Sequence, residues 1–542
     1  MARNLDTDLQ ILRTVLDLAQ KRDFERAADL AERTLADGFE HPMLLNVAAT
    51  RLEQQGRLEE ALRLLERAVS LAPADVGARN ALALLLQRLD RPAEALQHLE
   101  LLTAQHPELA FVHASKGNAL IALGSLELAR ASHARALELD PKNFVSMAAL
   151  ASIATHRGDH AQARIWAEKT LAAAPGFPDA VLSLAAAELD AGATARAEEL
   201  LHALILDSRA GPTDRARASG LLGDVLDTAG RYAEAFDAYR SCNEALRQIH
   251  RRFASQPGVL AFAREIRAAL DSTTAARWAA ARAAAPALQP AAGHVFLMGF
   301  PRSGTTLLEV ALDAHPRIVS LEENELLAEA KARFLRSPVN LHALLDADEP
   351  ALDALRGAYW ESVRRAGAQV SGKVFIDKHP LNTLNLPLIA RLFPAARILF
   401  ACRDPRDVVL SCYRRRFKMN PAMYQLLSLS GAAEFYDAVL GLAWRARELL
   451  GLPWHEVRHE AVVEDFAGAT REICGFLQVE WVEGLEDFAG RVQRREHSTP
   501  STAQLARGLN ASGIGHWRHY RAALEAVQPV LGPWVERLGV DG

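Results

Sequence analysis

Residues 295–309 read VFLMGFPRSGTTLLE. The apolar run Val295 to Met298 has the character of a strand buried on both faces, and Leu307, Leu308 and Leu312 open a helix at helical spacing. Between them Gly299 and Gly304 bracket four residues, and two hydroxyl side chains follow at Thr305 and Thr306. A strand, a glycine-bounded turn and a helix N-terminus in that order aim backbone N–H groups at one point, which is the chemistry of a phosphate or sulfate cradle. The Walker loop of nucleotide triphosphatases carries lysine at the position of Thr305. Arg302 supplies a cation inside this loop instead, as a planar fork that matches two oxygens of an anion. Pro301, Arg302, Ser303, Gly304, Thr305 and Thr306 are therefore the candidate anion site.

Downstream, two further apolar runs lead into charged residues. Val374 to Ile376 reads as a short strand with Lys378 at its C-terminal end, the edge where open parallel sheets bind ligands, and Leu384 to Phe393 reads as a covering helix. Ile398 to Ala401 reads as another strand; Arg403 follows it, Pro405 opens a helix, and Ser411 falls eight residues after Arg403. Arg406 and the run Arg414 to Arg416 are read as charges that solvate this helix. One stretch mimics a zinc protease: His455 to His459 spells HEVRH. That chemistry needs both histidines on one helix face, whereas Pro453 precedes them and HEAVVEDF alternates as a strand and turn would.

The first 250 residues repeat. Arg22, Gly56, Asp90, Gly124, Gly158 and Gly192 are spaced by 34, and Gly230 follows after 38. Five residues after each comes alanine, at Ala27, Ala61, Ala95, Ala129, Ala163, Ala197 and Ala235, and prolines punctuate at Pro73, Pro107, Pro141 and Pro175. A 34-residue helix-turn-helix period with small residues at the helix contact resembles the tetratricopeptide repeat (TPR), about seven copies of it, stacked as a solenoid. The four extra residues near Gly211 and Pro212 read as a loop insertion. Such solenoids bind peptides or proteins, or serve as scaffold and dimerisation arms. From Gln248 to Pro290 the chain is rich in alanine and arginine, and Pro286, Pro290 and Gly293 mark a turn before the cradle strand.

A chain of 542 residues exceeds a single core and implies two or three domains. At 50% apolar and 24% charged residues it has an ordinary globular composition, and a formal net charge of −5 gives no reason to expect nucleic acid as a partner. Four scattered cysteines, Cys242, Cys402, Cys412 and Cys474, fit neither a disulfide framework nor a paired zinc signature, which points to a reducing compartment. The N-terminal MARNLDTDLQILRTVLDLAQ lacks signal-peptide regions and any run long enough to span a bilayer, so the expected location is cytoplasmic.

The stretch GFPRSGTTLLEVALDAHP, with FACRDPRDVVLSCY downstream, resembles the sulfotransferases that use 3′-phosphoadenosine 5′-phosphosulfate (PAPS), in particular bacterial TPR-sulfotransferases and the related protein-tyrosine sulfotransferases. The resemblance covers about residues 290 to 540. It implies that Glu323, second of the pair in RIVSLEENELL, is the base that takes the acceptor proton, with Glu322 and Glu325 as the alternatives. It implies that Lys378 stabilises charge on the leaving phosphate, and that Arg403 and Ser411 hold the donor's 3′-phosphate. The final motif, STPSTAQLARGLNASGIGHWRHY at 498–520, resembles the family's nucleotide lid; Ser501 falls on a phosphate-binding serine and His516 on a phosphate-binding lysine, while Trp517 keeps an aromatic place suited to packing.

The expected architecture is α plus α/β: a TPR α-solenoid at 1–250, a helical linker at 251–290, and a P-loop-like sulfotransferase domain with a parallel sheet flanked by helices at 291–542. The expected activity is transfer of a sulfuryl group from PAPS, as co-substrate and without a metal, to an acceptor hydroxyl such as a protein tyrosine, with the TPR arm binding acceptor or partner protein. The alternatives are a P-loop kinase for a small molecule and a TPR scaffold with an inactive transferase domain.

Overall fold

The computed structural model describes residues 5–21, 23–255, 258–283, 290–486, 509 and 511–540. It divides into two compact units, Met1–Ala187 and Glu188–Gly542. No helix among the described residues is long and apolar enough to cross a membrane.

The first unit is built of antiparallel helix pairs, from Leu5–Gln20 with Phe24–Ala36 to Phe144–His156 with His160–Ala173. The repeat register explains why. At the end of each first helix the chain must turn through the left-handed region, as Gly124 does at φ +79°, and glycine does so without a Cβ clash. Asp90 adopts the same conformation at φ +59° with a side chain. The alanines five residues later are fully buried wherever they occur along the chain, Ala27, Ala61, Ala95, Ala129 and Ala163 here and Ala197 and Ala235 in the second unit. A larger side chain there would push the two helices of a pair apart.

The second unit opens with helices Thr194–Leu206, Pro212–Thr228 and Tyr232–Ile249. The four extra residues of the repeat do not form a loop: they add a turn to Pro212–Thr228, which has 17 residues, with Pro212 at the first helical position and Asp214 in the first turn, where both are favoured. Helices Val259–Asp271 and Ala275–Ala283 follow, and their Ile266, Leu270 and Trp278 are fully buried in the cluster that holds Phe296 and Phe400. These helices are thus part of the core beneath the sheet.

The sheet comprises β1 (Gly293–Gly299), β2 (Ile318–Glu322), β3 (Val374–Lys378), β4 (Arg397–Cys402) and β5 (Trp454–Arg458). All neighbours are parallel, in the order β2-β3-β1-β4-β5. Strand alternation divides the core: Phe296 and Met298 face one apolar cluster, Val295 and Leu297 the other. Strand order reverses about β1, so the crevice at its C-terminal end is where a ligand would bind. The covering helix expected at Leu384 to Phe393 is found at Leu386–Leu392, preceded by a 3₁₀ turn at Pro380–Asn385. The turn runs directly into the helix, and Thr383 donates its hydroxyl proton to the Gly299 carbonyl at 2.9 Å, tying the turn to the end of β1.

Candidate active site

Each of the five strands delivers at least one polar residue at its C-terminal end. After β1 come Pro301, Arg302 and Gly304, after β2 Glu323, after β3 His379, after β4 Arg403 and after β5 His459; all border one cavity of ≈ 400 Å³, while Ser303 is buried and does not line it. Helix Thr305–Leu312 starts at its floor, with Thr305 and Thr306 among the lining residues. Gly304 is required here. Its φ is +100°, and a Cβ on it would stand 2.8 Å from His459 Nδ1.

Arg302 is held in the left-handed region at φ +71°, and its Nε donates to Ser411 Oγ at 3.0 Å. Arg403 Nη1 donates to the Arg302 carbonyl at 3.3 Å and Nη2 to the Gly513 carbonyl. Burial, with Arg415 and Arg403 close by, pushes the Arg302 guanidinium down to about 9. Burial likewise lowers Arg415. His459 is pushed down to about 3, first by burial and then by Arg403 and Arg302, so it is neutral at physiological pH. Arg403 Nε and His459 Nδ1 are buried with no hydrogen-bond partner among the described residues. Cations crowded together out of water, with polar atoms left over, are the electrostatic imprint of an anion site.

The acidic side of the cavity is Glu323. Like Arg302 it takes a positive φ, +51°, a strain that element geometry alone does not ask for. Its backbone N–H donates to the Lys378 carbonyl at 2.7 Å, and its Oε1 accepts from Lys378 Nζ at 3.0 Å. Lys378 itself lies behind Glu323, fully buried, donating to Glu322 Oε1 at 2.9 Å and standing 3.6 Å from Glu309 Oε2. Burial alone would lower this lysine; Glu309, Glu323 and Glu322 outweigh it and hold it above its ordinary value. Glu322 meets Lys378 because the two are register partners across β2 and β3.

His516 borders the cavity, with Nε2 2.9 Å from Asp227 Oδ1. Trp517 is buried, with Arg406 stacked over its ring at 3.8 Å; Arg406 is paired with Asp404 and does not solvate its helix. Asp407 accepts from the backbone N–H groups of Gly515 and Trp517 at 2.6 and 2.8 Å, which fixes this segment against the cavity. Ser501 lies outside the described residues. The run Arg414 to Arg416 is likewise not a solvated face: Arg414 pairs with Asp227 and Arg416 with Asp224, both at 2.7 Å, and Arg414 and Arg415 line the cavity. The HEVRH stretch splits between β5 and helix His459–Glu464, so its two histidines share no helix face.

Sequence reasoning thus missed Arg415, His459, Asp407 and Asp227 as cavity residues. His459 was within reach, because it follows a strand of a parallel sheet at its ligand-binding edge. Asp227 was not, since no local pattern ties a helix of the repeat array to this cleft.

A cradle at the switch point of a parallel sheet, joined to helical repeats, defines a class that sequence comparison agrees with. Residues 294–483 match the sulfotransferase family model, and residues 52–116 and 112–143 match tetratricopeptide repeat models. The chain therefore joins tetratricopeptide repeats to a sulfotransferase-family domain. It is 24% identical over 259 residues to protein-tyrosine sulfotransferase 1 of Danio rerio, covering 46% of this chain and 72% of that one. It is 23% identical over 376 residues to an uncharacterized protein of Aquifex aeolicus, covering 67% of this chain and 47% of that protein, so it spans about half the length of that relative. Among solved structures, the sulfotransferase domain of the Synechococcus PCC 7002 olefin synthase is 23% identical, covering 43% of this chain and 90% of its own, with a TM-score of 0.32.

Proposed function

We propose that this protein transfers a sulfuryl group from PAPS to an acceptor hydroxyl, and that the acceptor is a tyrosine of a peptide or protein. The observation that carries the reading is the gathering of Arg302, Arg403 and Arg415 around the cradle, opposite the carboxylate of Glu323, in one cavity. Arg302 and the backbone N–H groups of the cradle would hold the sulfonate and the 5′-phosphate; Arg403, together with Ser411, which lines the same cavity and accepts from Arg302, would hold the 3′-phosphate. Glu323 takes the proton as the acceptor oxygen bonds to sulfur, and the bond from sulfur to the 5′-phosphate oxygen breaks, releasing PAP, the desulfonated nucleotide. Positioning and charge supply most of the acceleration. Names of the relatives favour tyrosine, and the TPR helices would present the acceptor protein or bind a partner.

Calorimetry of the purified protein with PAP, AMP and Mg-ATP tests the donor. Tight binding of PAP alone is the expected result. Preference for Mg-ATP would support a kinase, and no binding of any nucleotide a scaffold. Mass spectrometry of lysate proteins supplied with PAPS, with and without the enzyme, identifies the acceptor: an increment on tyrosine is expected, and labelling confined to saccharide or lipid would overturn that half of the reading.

A further inference from the structure

Helix Pro212–Thr228 lies outside the residues that match the sulfotransferase model, yet its Asp227 borders the cavity. Asp227 Oδ2 accepts from Arg414 Nη2 at 2.7 Å, and Oδ1 lies 2.9 Å from His516 Nε2 and accepts from the Tyr520 hydroxyl. A carboxylate only accepts, so Nε2 of His516 carries the proton that joins them. Burial disfavours this carboxylate, but His516, Arg414 and Tyr520 together hold it below its ordinary value. The same helix is anchored again one turn earlier. Asp224 accepts from Arg416 at 2.7 Å and from the Tyr239 hydroxyl at 2.9 Å. Its partner helix, Tyr232–Ile249, adds the Asn243 amide to the Tyr413 carbonyl at 2.9 Å and stacks Tyr232 on His519 at 4.1 Å.

A carboxylate in the wall of an anion site repels the ligand unless it serves the cations around it. The geometry points to Asp227 as a positioning residue of the donor site: it holds Arg414 and His516 in the cavity wall, and through it the helix pair 212–249 becomes part of the nucleotide site. The inference rests on the PAPS reading, and it assigns the last helix pair of the repeat array a role in donor binding that the sulfotransferase motifs do not contain.

The two roles open to Asp227 have opposite signs, which makes the test direct. Asp227→Asn removes a negative charge with little change of shape. If Asp227 were a bystander, the full-length variant would bind PAP as tightly as the wild type or more tightly. If it positions Arg414 and His516, calorimetry shows PAP affinity about tenfold weaker, the scale of one charge-assisted hydrogen bond. In turnover, KM for PAPS then rises while kcat stays within about twofold. Losses in Asp227→Asn and His516→Ala that combine to less than their product support action through His516; strictly multiplicative losses overturn it. Should Asp227→Asn not fold, His516→Asn probes the pair from the other side, and an unchanged PAP affinity there overturns the inference. A wild-type protein that binds no PAP would sink the PAPS reading itself; tight wild-type binding with unweakened Asp227→Asn sinks this inference alone.

Discussion

Glu323 and Arg302 share an unusual property: both are non-glycine residues held at positive φ, and both border the cavity. Strain of this kind survives where surrounding structure enforces it, as the Lys378 carbonyl and ammonium do for Glu323. Glu323→Gln keeps the shape and removes the basicity, so kcat should fall roughly 10²–10⁴-fold. PAP affinity should stay within about twofold, because the base faces the acceptor; near-normal turnover would return the role to Glu322 or Glu325. Lys378→Met leaves Glu309 and Glu322 without their buried cation and should destabilise the fold by about 3–5 kcal/mol near neutral pH. The folded lysine titrates above its ordinary 10.5, so its contribution is complete below that value and is lost as pH climbs through the raised one. Denaturant curves for wild type and Lys378→Met should therefore converge only in that alkaline range. Asp377 behaves in the opposite way: burial, opposed by bonds from Tyr359 and Asn382, pushes it up to about 7. The unfolded chain gives up this proton near 3.8 while the folded one keeps it, so stability declines as pH rises from 3.8 to about 7. Asp377→Asn should abolish that decline and gain roughly 2–4 kcal/mol on wild type between pH 4.5 and 7.5; parallel stability curves for the two proteins would refute it.

The cradle and the helix pairs show how much a single backbone position can decide within an element. Gly304→Ala would bring a Cβ to 2.8 Å from His459 Nδ1 at φ +100°, a clash and a backbone strain together. PAP binding should be lost while the rest of the sheet, sealed by its two apolar faces, stays folded by circular dichroism. A variant that binds PAP normally would show that the cradle opens without cost. In the repeats the matching test is Ala129→Leu, which forces a larger side chain into a fully buried helix contact and should cost about 1–3 kcal/mol in unfolding experiments. The reverse replacement at the neighbouring, 63% exposed position, Leu128→Ala, should cost little.

Across the whole molecule, the compact units set where the chain can be cut. A chain beginning at residue 285 would strip Ile266, Leu270 and Trp278 from the core beneath the sheet, together with the helix that carries Asp227. It should be insoluble or unfolded. A chain beginning at Glu188 keeps all of these and should bind PAP as the full-length protein does, while losing activity on a protein acceptor if the first unit presents it. Equal activity of the two on a protein substrate would leave the first unit some other task.

The repeat period, the cradle and the strand ends were legible from the sequence because each is a local signal. A turn residue, most often glycine, every 34 residues, an alanine five residues on, and a charged residue after an apolar run all report the backbone within a few residues of themselves. Arg302 was legible from the cradle and Lys378 from the rule that parallel strands bind ligands at their C-terminal ends, whereas Glu323, Arg403 and Ser411 were expected from the resemblance to the sulfotransferases. What only the tertiary structure decided is which charges face one another. Lys378 meets Glu322 from 56 residues away and Asp227 meets His516 from 289. No periodicity spans such distances, since the pairing is set by strand order and by helices packed on the sheet. The same packing turned Arg414 and Arg415 from surface charges into the wall of the cavity, paired Arg416 with Asp224, and drew the last repeat helices into the transferase unit.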